Sequence, residues 1–258
     1  MGKKVQPIYE STYRHRSTRS RTRILTVLIL LIILIGGFWL FQKHQNKQLS
    51  HYPVKGVTLS QDDGYIDFHQ LAQKGVKFTY LRASSGASFI DDQFSNSFSQ
   101  SQGTDLKIGV YHMFSFSSSA SAQYVNFRRA IGKSDGVLPI ALQVSYYGSY
   151  SENSINQSAQ QVKLKKLANL ISTHYQRSVV IWTTDSIWHT WVKASVPKAA
   201  FWMADGKLKR TNDRMPFIEY NPKGKMTLSG SEQQVSQSVF TGNQKQWRNY
   251  LNAITNTK

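Results

Sequence analysis

The chain has 258 residues, 40% of them apolar, and no cysteine, which leaves room for one sizeable core and excludes both a disulfide framework and a thiolate metal site. Lys and Arg number 32 against 14 Asp and Glu, a formal charge of +18 that points to anionic partners such as membrane lipids or wall polymers. Residues 1–23 carry Lys3, Lys4, Arg14, Arg16, Arg19, Arg21 and Arg23 against Glu10 alone and read as a basic cytoplasmic tail. Residues 24–41, "ILTVLILLIILIGGFWLF", are uncharged and reach the length at which a helix crosses a hydrocarbon core. Trp39, Phe41, Gln42 and Lys43 stand where a cleaved signal peptide would carry small residues. The expectation is one N-terminal transmembrane helix in the cell membrane, single-pass, with the N-terminus cytoplasmic and the C-terminal domain extracellular. There, nucleic acid is not an expected partner.

Residues 42–53, "QKHQNKQLSHYP", are polar, close on a proline and read as a linker. From 54 to 258 short apolar runs alternate with amphipathic stretches: "VKGVTLS", "DFHQLAQKG", "FTYLRAS", "DQFSNSFSQSQ", "IGVYHMF", "SASAQYVNFRRAI", "PIALQV", "SAQQVKLKKLANLISTHY", "SVVIWTT", "SIWHTWV" and "AFWMAD". This order predicts an α/β fold with largely parallel strands. The tail, "PFIEYN" and then "VSQSVF", holds two strand patterns separated by a glycine-containing loop. In a parallel barrel the chemistry sits where strands end. At one such end, in "LPIALQVSYYG", Gln143 and Ser145 share a face of the strand, about 7 Å apart. A pair of carboxylates at this spacing could serve glycan cleavage, and this strand holds an amide and a hydroxyl.

The segments "GVTLSQDDGYIDF", "ASSGASFIDDQF", "GVYHMF", "LPIALQVS" and "VSQSVF" follow one another in the frame of a known family. The chain resembles the glycoside hydrolase family 25 lysozymes, N-acetylmuramidases that cut the glycan of peptidoglycan, from about Gly56 to Phe240. The resemblance implies an irregular TIM-like (β/α) barrel. It also implies acids at Thr58, Gln143, Ser145 and Ser236, with the proton donor at Ser145, and none of these four residues is an acid. Glycoside hydrolysis needs a protonated acid at the leaving oxygen and a second group to stabilise the cationic transition state, which Gln and Ser do not supply. The replacement candidates are Asp62 and Asp63 past the first strand, with Asp205 and Glu219 near later strand ends; adjacent loop acids such as Asp62 and Asp63 also serve as local caps.

The candidate glycan-binding residues are Tyr111, His112, Tyr147, Trp182, Trp188, Trp202 and Tyr220, aromatic or polar groups near strand ends, with Tyr147 and Trp188 the expected exposed platforms. The histidines have no metal-ligand spacing, no nucleophile elbow is present, and neither metal nor cofactor is expected. Three functions compete. The first is a membrane-anchored pseudoenzyme that binds peptidoglycan or another wall glycan. The second is a muramidase working through relocated acids. The third is a basic scaffold for proteins or polyanions, with anionic wall polymers or lipids as its partners.

Overall fold

The computed structural model describes residues 2, 23–37, 39–40, 48–204, 206–208 and 214–255. They belong to two compact units, Met1–Ser50 and His51–Lys258. In the first unit residues 23–37 and 39–40 are helical, and the apolar side chains from Ile24 to Ile35 are exposed. No helix among the described residues is long and apolar enough to cross a membrane. Positions 38 and 41 of the expected span 24–41 lie outside the described residues, as do the expected tail apart from residues 2 and 23 and the first half of the linker, 42–47.

The second unit begins with β1 (Lys55–Leu59), a 3-10 turn (Gln61–Asp63), α1 (Phe68–Gln73), β2 (Val76–Ser85), β3 (Phe89–Ile90) and α2 (Phe94–Ser101). It continues through β4 (Lys107–Met113), α3 (Ala120–Ile131), β5 (Ile140–Gln143), α4 (Gln157–Tyr175) and β6 (Val179–Thr184). A helical segment over 185–195, with a π turn at Trp188–Val192, leads to β7 (Ala200–Ala204), β8 (Phe217–Leu228), β9 (Ser231–Phe240) and α5 (Gln244–Thr255). Short polar side chains start the helices: Asp67, Ser119 and Asn156 each accept a backbone N–H of the first turn of α1, α3 and α4.

β1 pairs with both β2 and β9 and so closes an eight-stranded barrel, with β3 a short antiparallel addition to β2. Seven barrel strands run parallel. β9 runs against both β8 and β1. The two tail patterns extend into one hairpin, whose turn residues Ser229 and Gly230 have φ of 50° and 78°. That pair of left-handed residues suits the right-handed twist of the flanking strands. The hairpin tip reaches α1, where the Ser229 N–H donates to Gln70 Oε1.

The barrel is filled by rings. Phe78, Tyr80, Tyr111, Trp182, Trp202, Phe217 and Phe240 form one core, closed at the end where the strands start by Trp247 of α5. Two glycines make this possible: a Cβ on Gly56 would lie 2.2 Å from the Phe78 ring, and one on Gly109 2.4 Å from the Tyr80 ring. Tyr80 is held in addition by its hydroxyl, which donates to the Pro139 carbonyl. A methyl at Gly109 therefore meets a ring that has nowhere to go. Gly109→Ala is expected to destabilise the domain by about 1–3 kcal/mol in urea unfolding, the usual range for overpacking a filled core.

Candidate functional site at the ends of the strands

Parallel strands deliver their last residues to one end of the barrel, and there Thr58, Arg82, Tyr111, Gln143, Trp182, Glu219 and Ser236 are neighbours in the sheet. Thr58 stands directly opposite Ser236, Arg82 beside Tyr111, and Gln143 beside Trp182. Trp182 stacks on Trp202 with ring centroids 4.6 Å apart, and Tyr111 meets Trp182 edge-on at 5.4 Å. These rings form the floor. Burial pushes the Tyr111 phenol far up, so it remains a neutral hydrogen-bonding group.

The four positions at which the resemblance implies acids carry non-acidic side chains at this end. Thr58 is buried, its Oγ1 without a protein partner, and Gln143 and Ser145 are half-buried at and just past the end of β5. Ser236 donates to Glu219 Oε1 at 2.6 Å, and Trp182 Nε1 donates to the other carboxylate oxygen at 3.3 Å. Glu219 is thus a carboxylate set beside a position where the resemblance places one. Asp205 lies outside the described residues.

Asp62 and Asp63 are engaged locally. Asp63 Oδ2 accepts both the backbone N–H and the hydroxyl of Ser60 in a reciprocal cap of the 3-10 turn. Burial raises its pKa despite those hydrogen bonds. Asp62 pairs with Arg82 at 2.8 Å, and the same guanidinium meets buried Asp91 at 2.7 Å. Asp91 also accepts the Gln61 N–H, which locks the turn to the segment after β3. Arg82 is the residue that sequence reasoning missed. Its one signal was a cation inside the apolar run "FTYLRAS", and its partners Asp62 and Asp91 lie too far along the chain for local spacing to reveal them.

The expected glycan contacts divide. Tyr111, Trp182 and Trp202 belong to the interior floor, Trp202 below Trp182 and fully buried. Tyr220 is half-buried and donates to Gln237 Oε1 at 2.9 Å; burial pushes its phenol up to about 12. Tyr147 is 42% exposed, lies against Phe116 and Tyr150, and donates to Ser115 Oγ. Two residues leave the set. Trp188, expected as an exposed platform, is 4% exposed because the π turn lays its ring flat on Phe201 outside the barrel, 4.6 Å away. His112 follows Tyr111 in an extended strand and so faces the opposite side, under α3.

There His112 is wholly buried, with Nδ1 2.9 Å from Ser84 Oγ and Nε2 3.3 Å from Gln123 Oε1. Gln123 Oε1 also accepts the Ser115 N–H, while its Nε2 donates to the Ser115 and Ser118 carbonyls. The amide orientation is therefore fixed, His112 donates from Nε2, and Ser84 donates to Nδ1.

A cleft of about 500 Å³ lies between Asp62 and Asp63 on one side and Pro222, Lys223, Glu232, Gln233 and Gln234 of the long hairpin on the other. The strand ends thus gather aromatic rings, amides, hydroxyls and the buried carboxylates of Glu219 and Asp91, the second neutralised by Arg82. No group of three or more potential metal ligands occurs among the described residues.

The sequence pattern described as Glycosyl hydrolases family 25 matches residues 57–225, a stretch that includes Thr58, Gln143 and Ser145 and stops short of Ser236. The Escherichia coli K12 protein YegX is 24% identical over 212 residues, 80% of this chain and 76% of that protein. Lysozyme M1 of Streptomyces globisporus is 24% identical over 163 residues, 58% of this chain and 54% of that one. Among solved structures, a family 25 glycosyl hydrolase from Bacillus anthracis aligns with a TM-score of 0.70 at 26% identity, covering 77% of this chain and 94% of its own. The lysozyme of Streptomyces coelicolor aligns at 0.66 and 23% identity over 80% of this chain and 98% of its own, a likeness of fold.

Buried His112 gives the region a pH signature. Burial lowers its pKa from 6.5 to about 4, so the unfolded chain takes up this proton first as pH falls. The stability it contributes is complete above pH 6.5 and is lost towards pH 4, an amount of up to about 3 kcal/mol. Urea unfolding across that window should show the decline, and His112→Gln, whatever its absolute stability, should flatten it.

Proposed function

Because the chain belongs to the glycosyl hydrolases of family 25, we propose that its barrel keeps the family's glycan-binding groove and has given up hydrolysis. In this reading it is a pseudoenzyme held to the outer face of the cell membrane by residues 24–41, with peptidoglycan or another wall glycan in the groove. One observation carries it: the end of β5 presents Gln143 and Ser145, so no protonated acid faces a leaving oxygen there. A general acid alone is worth about 10²- to 10⁴-fold in rate, and the resemblance implies further carboxylates that Thr58 and Ser236 do not supply. The groove keeps what binding needs. Thr58 Oγ1 at the strand end lacks a protein partner, and a group of this kind is satisfied by water or by a ligand.

A second reading, hydrolysis through relocated acids, has one observation in its favour, the Glu219 carboxylate 2.6 Å from Ser236 Oγ. The two readings separate in one tube. Residues 51–258 are incubated with purified peptidoglycan, and both reducing ends and pelleted protein are measured. Retention with reducing ends at the blank level is expected, and Tyr147→Ala should weaken retention about fivefold, the size of one lost aromatic contact. Reducing ends above the blank that vanish in Glu219→Gln would establish the second reading instead.

A further inference from the structure

Among the described residues of the barrel domain, acids and cations are unevenly divided between the two ends. In a parallel barrel, residues that precede a strand lie at one end and residues that follow a strand lie at the other. Where the strands start stand Lys55, Lys74, Lys133, Lys198, Lys245 and Arg248, all exposed. Of the acids described at that end, Asp135 is paired with Arg177 and Asp105 stands among the cations. The opposite end collects Asp62, Asp63, Asp92, Glu152 and Asp185. Among the described cations of that end, Arg82 is engaged by Asp62 and Asp91, Lys163 by the Phe116 carbonyl and Lys225 by Glu232, with Lys207 and Lys223 the exceptions. A domain with this separation orients itself in front of a charged surface.

The basic end also has an apolar recess. A cavity of about 930 Å³ opens there between Val196, Pro197 and Lys198 on one side and Met215, Pro216 and Tyr250 on the other. Apolar walls beside lysines suit a ligand whose charge and hydrocarbon are joined, which describes a phospholipid and not a soluble polyanion. The chain enters the barrel at this same end, through Val54 and Lys55.

We propose that the end of the barrel where the strands start docks on an anionic lipid bilayer, so that the strand ends carrying the groove point away from the lipid. The orientation rests on the reading of residues 24–41 as an anchor; the surface itself is tested without that segment.

The closed barrel and its core lie wholly within His51–Lys258, which therefore serves as the test protein. It is sedimented with vesicles of phosphatidylcholine alone or of phosphatidylcholine and phosphatidylglycerol in equal parts. Binding to the anionic vesicles only is expected, and it should weaken about tenfold or more in the double variant Lys198→Glu with Lys245→Glu. The double variant Lys223→Glu with Lys225→Glu makes the same change of charge at the opposite end and should stay within about twofold of the unaltered protein. Thermal melts report whether the variants fold, and Lys74→Glu with Lys133→Glu replaces the first pair if it melts early. Equal losses in the two pairs would overturn the proposal in favour of diffuse attraction. Displacement from vesicles by poly(glycerol phosphate) at matched phosphate would overturn it in favour of a soluble polyanion, and absence of binding would end it. Whether the full chain leaves membranes with high salt or only with detergent tests the anchor separately, so each idea can fail alone.

Discussion

The pairing of β1 with β2 on one side and β9 on the other is the constraint from which the site follows. Closure turns alternate residues of each strand inward, and an eight-stranded barrel has just enough interior for side chains to fill. The chain fills it with rings, and Gly56 and Gly109 lie where Phe78 and Tyr80 need the space. Stacked Trp182 and Trp202 then close the interior below the strand ends. The same closure brings Thr58 opposite Ser236 and, through Ser236, next to Glu219, residues far apart along the chain.

Carboxylates gathered in such a mouth are costly, because each is partly desolvated and repels the others. Three acids present at this end are each held by partners. Asp91 is buried against Arg82 and two backbone N–H groups, Asp63 caps its own turn, and Glu219 accepts from Ser236 and Trp182. Hydroxyls and an amide at Thr58, Gln143, Ser145 and Ser236 carry no such burden.

Much of the fold was legible in the sequence. Strand and helix patterns alternate in the observed order, and the framed segments around Gly56, Tyr111 and Leu138 lie on β1, on β4 and just before β5. The site was legible in part, because strand periodicity says that neighbours face opposite ways but not which of the two faces inward. Tyr111 and His112 were therefore read together, although one floors the barrel and the other is sealed under α3. Trp188 was misplaced because "SIWHTWV" has the apolar content of either a strand or a helix, and the π turn that lays its ring on Phe201 leaves no local mark. Arg82 was missed because its role arises from partners that only the fold assembles.

The reversed direction of β9 has a consequence for how this domain can be extended. Had all eight strands been parallel, the last would have finished at the mouth, and anything added after it would have crowded the groove. Because β9 runs back, Phe240 and the helix after it finish at the end where Lys55 begins. Both continuations of the barrel's chain therefore leave from its base. A module or tag joined after α5 would share that side with the incoming linker, and the mouth would remain open to a polymer as large as a cell wall.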